Sequence, residues 1–245
     1  TGSWRALDPH LIALLAASGI LGIFLGDTLL FAGLNRVGPR RSGVIFALNA
    51  PMAAVLGYFL LGETLPGRAV AGIALTVCGV ALAILYGKRR DQLHVWETVK
   101  GPLWIGVLLG LGAAAGQALG SIVARPVMAS GIDPVLASMV RVGVAGLCLS
   151  ALIALPIPAV KPRAPMTPTA AALTALTGTL GLGVGMTLLL FALSGGNVGI
   201  VSTLSATSPV IILPALWIRT GERPAAGAWA GAALVVAGMA LLFQR

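Results

Sequence analysis

The chain has 245 residues, of which 58% are hydrophobic and only 9% are charged. Soluble domains carry about 25% charged residues, so this chain has too little charge to cover the surface of a soluble protein. The 55 residues between Arg163 and Arg219 contain no charged side chain, and a membrane-spanning helix needs about 20 apolar residues. The composition therefore predicts a polytopic membrane protein that is embedded in the lipid bilayer.

The formal net charge of +9 does not indicate a nucleic-acid partner. The basic residues lie in short clusters between apolar segments, which is the pattern of membrane-protein loops. Eleven Lys and Arg residues fall on one side of the predicted membrane and four on the other. Cytoplasmic loops are enriched in basic residues, so the richer side is predicted to be cytoplasmic, with both chain ends outside.

Eight charge-poor segments are predicted to be transmembrane helices. In chain order they cover roughly residues 10–34, 42–61, 68–86, 102–124, 134–156, 169–194, 197–218 and 226–243. These segments are about twice as long as a transmembrane β-strand and do not alternate in polarity. Only a helix satisfies its own backbone hydrogen bonds within one segment in hydrocarbon. The predicted fold class is therefore an all-α polytopic helical bundle.

Glycines four residues apart predict close packing between helices, because small residues let two backbones approach in lipid. They are Gly106, Gly110, Gly112, Gly116 and Gly120, the pair Gly181 and Gly185, and the pair Gly227 and Gly231.

An internal repeat relates the first third of the chain to its end. With an offset of 159 positions, Gly26 falls on Gly185, Thr28 on Thr187, Leu34 on Leu193, Gly62 on Gly221, Glu63 on Glu222, Gly72 on Gly231 and Gly79 on Gly238. Leucine matches arise easily by chance in such a composition, but Glu63 is the only acidic residue between positions 28 and 90. The second copy contains five predicted helices and the first contains three, so two further helices are expected upstream. Because five is odd, the two copies are predicted to have opposite orientations in the membrane, as in many secondary transporters.

The order of these landmarks resembles that of the EamA family in the drug/metabolite transporter (DMT) superfamily. The resemblance is carried by Leu-Gly-Asp-Thr-Leu-Leu-Phe-Ala-Gly-Leu at 25–34, Asn-Ala-Pro at 49–51, Leu-Gly-Glu-Thr-Leu at 61–65, Thr-Ser-Pro at 207–209 and Gly-Glu-Arg at 221–223. It implies a ten-helix fold of two inverted five-helix repeats in the bacterial inner membrane, and export of amino acids or other metabolites. It also implies that residues 1–86 are the last three helices of one repeat, 87–101 a basic connecting loop, and 102–245 the second repeat.

Asp27 and Arg141 are the only charged side chains well inside predicted spans, and an ionisable group at that depth indicates function by default. Asp27 fits either a proton-coupling carboxyl or a structural hydrogen-bonding group, and Met186 replaces it in the second copy. Arg141 fits either a site for a substrate carboxylate or a side chain that extends to the nearer membrane surface, which we favour. From their positions along the helices, the depths are roughly 25 Å and 10 Å, so no salt bridge between them is expected.

Pro51 and Pro209 are predicted to interrupt equivalent helices, and paired breaks are a good sequence indication of a transporter site. The alternative for both prolines is local bending alone. The polar candidates for the cavity lining next to them are Asn49, Ser205, Thr207 and Ser208. Gln117, in the middle of a span, is a further candidate, although an interhelical hydrogen bond is its simpler role.

No catalytic, metal-binding or phosphate-binding pattern is found in the sequence, and no cofactor is expected. The only histidines, His10 and His94, lie near the ends of spans, and a P-loop is lacking. Two functions remain: a secondary transporter of small molecules, with protons as one choice of coupling ion, or a lipid-handling or structural membrane protein. The sequence leaves the oligomeric state open, and a homo-oligomer is one of the alternatives.

Overall fold

A computed structural model describes residues 8–61, 66–86, 99–156, 166–194 and 208–243. In these residues the chain forms ten α-helices, which we number in chain order. They are α1 (Pro9–Gly19), α2 (Gly26–Phe46), α3 (Asn49–Leu61), α4 (Gly67–Tyr86), α5 (Leu103–Ala129), α6 (Pro134–Ala154), α7 (Pro168–Gly178), α8 (Met186–Ser194), α9 (Ser208–Thr220) and α10 (Ala226–Phe243). A first π-helical segment, Ile20–Leu25, joins α1 to α2, and a second, Thr179–Gly185, joins α7 to α8.

The all-α polytopic bundle predicted from the sequence is confirmed. Within the described ranges, five helical stretches are long and apolar enough to cross a membrane: Pro9–Phe46, Gly67–Tyr86, Leu103–Ala129, Pro134–Ala154 and Pro168–Ala192. Two shorter apolar helices, Asn49–Leu60 and Ala226–Leu241, accompany them. Large apolar side chains such as Phe59 and Leu147 remain exposed, as expected of residues that face lipid.

Three helices begin with a capping residue followed by proline: Asp8–Pro9, Asp133–Pro134 and Thr167–Pro168. The oxygen of the capping side chain accepts a hydrogen bond from a free N–H group of the first turn, and proline has no N–H that would need a partner there. Asp133 shows this geometry best, because its Oδ1 atom accepts from the amides of Val135 at 2.9 Å and Leu136 at 3.0 Å.

Two breaks divide the region predicted to contain the first and second spans. Within α2, Gly38 has φ 82° and ψ 165°, a conformation that side chains other than hydrogen rarely permit. Pro39 follows and fixes the direction of the next helical turn. A second break at Ala47 and Leu48 separates α2 from α3. The span predicted at 42–61 is therefore not one continuous helix but two helical pieces.

Helix α5 lies at the centre of the described fold and contacts α1, α2, α3, α8 and the first π-helical segment. One core cluster, which includes Ile45, Val80 and Val235, packs against Ala114 of α5. Another, which includes Leu15, packs against α5 near its C-terminal end. Because α5 takes part in both clusters, it connects the two sides of the core.

The glycines of α5 pack as their spacing predicts. A methyl group at Gly106 would overlap the side chain of Val37, and one at Gly110 would lie 2.7 Å from Ile45 Cγ2. The pair in the second copy behaves differently: within the described residues, a methyl at Gly181 would meet no atom within 4 Å, and one at Gly185 only a carbonyl of its own helix. Spacing alone therefore predicted packing correctly on α5, whereas no described residue packs against Gly181.

Helices α4 and α10 cross in direct backbone contact. A methyl group at Gly79 would lie 2.7 Å from the Gly231 carbonyl oxygen, and one at Gly238 would lie 2.6 Å from that of Gly72. Residues later in α4 meet residues earlier in α10, so the two helices run antiparallel. We call this contact of Gly72, Gly79, Gly231 and Gly238 the glycine crossing.

Candidate functional site

The guanidinium group of Arg141 lies in the interior of the bundle. Its side chain is 0% exposed, and none of its three nitrogens has a hydrogen-bond partner within the part of the chain that the structure describes. The expectation that Arg141 extends to the nearer membrane surface is therefore wrong. The reason is packing: α1, α6 and the first π-helical segment enclose the side chain before it reaches a surface.

Two glycines permit this arrangement. A methyl group at Gly19 would lie 2.5 Å from the Arg141 carbonyl oxygen, so α1 rests directly on the backbone of α6. A methyl group at Gly22 would lie 3.2 Å from Arg141 Nη2, 3.4 Å from the Gly120 Cα and 3.6 Å from Gln117 Oε1. We call the small space bounded by Gly22, Gln117, Gly120 and Arg141 the Gly22 niche. It brings together two of the side chains predicted from the sequence, Gln117 and Arg141.

The first π-helical segment forms one wall of the niche. The amide of Gly26 donates to the carbonyl of Leu21, five residues earlier, which is the wider spacing of a π-helix. On the α1 side of the niche, the Ser18 hydroxyl donates to the Gly120 carbonyl at 2.5 Å. This hydrogen bond connects α1 directly to α5, and glycines on both helices allow the close contact.

Asp27 lies beside the niche rather than in it. It is the second residue of α2 and is half-buried. The preceding residue, Gly26, packs on α5, where a methyl group would lie 3.7 Å from the Gln117 amide nitrogen. No nitrogen of Arg141 has a hydrogen-bond partner among the described residues, so the two charged groups form no salt bridge there, as the sequence predicted.

Asn49 and Pro51 stand where the second span is interrupted. Asn49 is the first residue of α3, and its Nδ2 atom donates to the Phe46 carbonyl at 2.7 Å. The helical ladder ends at Phe46, so the Asn49 side chain supplies a donor that the backbone lacks at this break. Pro51 is buried in the first turn of α3. The predicted interruption therefore exists, beside the core cluster that contains Leu48 and Ala50.

The remaining candidates lie at the start of α9. Ser208 and Pro209 are its first two residues, whereas Ser205 and Thr207 lie outside the described residues. Glu222 lies between α9 and α10, and its amide donates to the Thr220 hydroxyl at 3.3 Å. Its counterpart Glu63 lies outside the described residues.

An open groove of about 570 Å³ lies elsewhere, at the turn between α5 and α6. It is lined by Met128, Ala129, Gly131, Ile132, Asp133, Pro134 and Ser194. Its one charged group, Asp133, already caps α6, and the hydroxyl of Ser194 donates to the Phe191 carbonyl at 2.7 Å. Within the described residues, no three His, Cys, Asp or Glu side chains lie together as a metal site would require.

Neither Gly22 nor the π-helical segments were predicted from the sequence. A weak sign existed in the four-residue spacing of Gly22 and Gly26, which matches that of Gly116 and Gly120 on α5. The structure makes this spacing meaningful, because a methyl at Gly120 would lie 2.7 Å from the Gly22 Cα.

Comparison with known proteins identifies a family for nearly the whole chain. The EamA-like transporter family matches residues 2–85 and 104–244. A "Probable amino-acid metabolite efflux pump" of Escherichia coli (strain K12) is 30% identical over 128 residues, which are 52% of this chain and 40% of that protein. "Uncharacterized transporter YetK" of Bacillus subtilis (strain 168) is 27% identical over 120 residues, which are 49% of this chain and 34% of that protein.

The matched segments thus span less than half the length of these relatives. A solved structure, with 19% sequence identity, aligns with 98% of this chain and 88% of its own chain at a TM-score of 0.66. At that identity the likeness concerns the fold alone.

Proposed function

Because this chain belongs to the EamA-like transporter family and is a multi-pass protein of the bacterial inner membrane, we propose that it is a secondary transporter that exports small metabolites such as amino acids. In this proposal two inverted repeats move against each other by alternating access, and Asp27 couples transport to protons. The observation that carries the proposal is the agreement of local geometry between the two halves of the chain.

The glycine crossing supports inverted repeats. With the offset of 159, Gly72 corresponds to Gly231 and Gly79 to Gly238. The contacts join Gly79 to Gly231 and Gly72 to Gly238, so each glycine meets the counterpart of the other. Such an exchange is what a two-fold axis between the copies produces. Since α4 and α10 run antiparallel, the axis lies in the membrane plane, as in transporters with inverted topology.

The π-helical segments provide independent support. The first begins at Ile20 and the second at Thr179, which are 159 positions apart. Just beyond them, the Thr28 hydroxyl donates to the Phe24 carbonyl and the Thr187 hydroxyl donates to the Gly183 carbonyl, again at equivalent positions. π-Helical segments are rare in proteins, and those that occur are often found at functional sites. Two of them at matching positions therefore favour a shared ancestral site.

The two copies differ in the residue that follows the π-helical segment. Asp27 comes two residues after Leu25, and the equivalent position holds Met186. A carboxyl needed only to hold the repeat together would be expected in both copies. An unmatched carboxyl beside a functional segment therefore favours proton coupling over a structural role.

The substrate class is inferred from the name of one relative, the probable amino-acid metabolite efflux pump of Escherichia coli. The proximity of two polar side chains within the bundle, Gln117 and Arg141, agrees with a small polar substrate.

The test is transport by the full-length protein in proteoliposomes, with each radiolabelled L-amino acid offered singly, with and without a proton gradient. We expect gradient-driven movement of at least one amino acid. Asp27→Asn should abolish the dependence on the gradient, and Glu222→Gln, at a turn, should keep it. If no amino acid moves, the substrate proposal fails. If Asp27→Asn retains gradient dependence, Asp27 is not the coupling group.

A further inference from the structure

We propose that Arg141 and Gln117 bind the carboxylate group of the transported molecule in the Gly22 niche. This inference rests on the proposed transport function and adds the chemical group that the site recognises and the residues that recognise it.

The first argument is the charge of Arg141. A buried charged group is normally paired, because removing it from water without a partner is costly. The Arg141 side chain is fully enclosed, yet its Nε, Nη1 and Nη2 atoms have no hydrogen-bond partner among the described residues. A charged group at membrane depth that lacks a structural partner points to a ligand.

The second argument is that the neighbouring helices contain no counter-ion. Helices α1, α5, α6 and α8 contain no Asp or Glu in their sequences. Among the described residues, Asp27 on α2 forms no ion pair with Arg141, and Asp133 caps α6. Asp133 is also eight residues before Arg141, which is roughly 12 Å along the helix axis. The negative partner must therefore come from outside these helices.

The third argument is geometric. The guanidinium group is a planar fork that matches the two oxygens of a carboxylate. Gln117 Oε1 and Arg141 Nη2 both lie within 4 Å of the position that a Gly22 methyl group would occupy. Rotation of the Gln117 amide would present its NH₂ group to the same place. The niche can thus offer an arginine fork and one neutral donor to a single carboxylate.

The niche is closed in this structure, so a ligand enters only after one wall moves. That wall is the first π-helical segment, which packs on Gly116 and Gly120 through Leu21 and Gly22. Because glycines form this contact on both the π-helical segment and α5, few side chains interdigitate there and the segment can separate from α5 without repacking many of them. Binding at the niche is therefore coupled to the movement that alternating access requires.

The first experiment measures binding without transport. Acetate is titrated into the ¹⁵N-arginine-labelled full-length protein in detergent, and acetamide serves as the neutral isostere. The Arg141 Nε signal is assigned from its loss in Arg141→Gln. We expect a saturable shift with acetate and none with acetamide.

Gly22→Ala would place a methyl group in the niche and should weaken acetate binding by roughly tenfold or more, the loss expected for charge-assisted hydrogen bonds. The matched control is Gly33→Ala on the same face, where the nearest atoms would lie at 3.5 Å, an ordinary contact. It should change the affinity less than about twofold, because nothing at that position reaches Arg141. The proposal is overturned if acetate does not shift the Arg141 signal, or if Gly22→Ala binds acetate as tightly as the unmodified protein.

The second experiment separates this inference from the proposed function. For a transported amino acid, Arg141→Gln and Gly22→Ala should raise KM by roughly tenfold to a hundredfold and abolish the preference for the acid over its carboxamide. If amino acids move but Arg141→Gln keeps that preference, the transporter proposal stands and the carboxylate site does not. If none moves although acetate binds at Arg141, the site stands and the transport proposal fails.

Discussion

The glycine crossing should not tolerate a single added methyl group. In Gly231→Ala the new Cβ would lie 2.6 Å from the Gly79 carbonyl oxygen, 2.7 Å from the Ala83 Cβ and 2.8 Å from the Ala83 amide nitrogen. Comfortable contacts between carbon atoms are about 3.5–4.0 Å, so α4 and α10 would have to separate by roughly 1 Å. Overpacking of this kind costs about 1–3 kcal/mol.

Alanine also favours the helix by up to about 1 kcal/mol relative to glycine, which offsets part of that loss. The matched control is Gly146→Ala in α6, where the methyl would meet no described atom within 4 Å. It gains the helix propensity and has no steric loss. The two variants should therefore differ by about 1–3 kcal/mol in free energy of unfolding, with Gly231→Ala the less stable.

The assay is equilibrium unfolding by SDS in mixed micelles, followed by far-UV circular dichroism. Gly79→Ala should lose a similar amount, and the double variant should lose less than the sum, because helices already separated by one methyl accommodate the second more easily. Equal stability of Gly231→Ala and Gly146→Ala would show that the two backbones are not in contact, and the two-fold relation built on them would lose its support.

Three further substitutions test the local geometry. Gly38→Ala should reduce the free energy of unfolding by about 1–3 kcal/mol, because φ 82° with ψ 165° is accessible essentially to glycine alone; Gly143→Ala, in open space on α6, should show no loss in the same SDS titration. Asp133→Ala removes the acceptor for two first-turn amides of α6 and should lower the unfolding free energy by about 0.5–2 kcal/mol; an unchanged SDS midpoint would contradict the capping role. Asn49→Ala loses the bond to the Phe46 carbonyl and should be less stable by about 0.5–1.5 kcal/mol. Asn49→Asp also lacks the side-chain donor, so it should be as unstable as Asn49→Ala. If Asn49→Asp were as stable as the unmodified protein, the hydrogen bond to the Phe46 carbonyl would not be what stabilises the break between α2 and α3.

Hydropathy predicted the helical bundle well because a span depends on the average polarity of about 20 residues. It did not place the breaks, since those depend on single residues. Nothing in the average polarity of 42–61 distinguishes a continuous helix from one interrupted at Ala47 and Leu48. Gly38 next to Pro39 is a readable turn signal, yet only the backbone angles show that the break falls at this glycine.

The site was partly predictable for a related reason. Asp27, Gln117 and Arg141 stand out because polar groups are rare in spans. The surroundings of Arg141 could not be obtained by counting, because Gly19 and Gly22 lie about 100 residues before Gly120 and come near it and Arg141 only in the folded chain. The π-helical segments were missed because a wider helical turn has no sequence period of its own.

The same substitution, glycine to alanine, should have different consequences at the glycine crossing and at the Gly22 niche. At Gly231 the added methyl would meet a carbonyl and an amide of α4, which cannot move without moving the helix. At Gly22 its nearest neighbour would be Arg141 Nη2, the end of a flexible side chain, with the Gly120 Cα at an ordinary 3.4 Å. The first change therefore acts on the stability of the bundle and the second on the arginine. We therefore expect Gly22→Ala to change the surroundings of Arg141 in a protein that still folds, which makes it a test of the proposed carboxylate site.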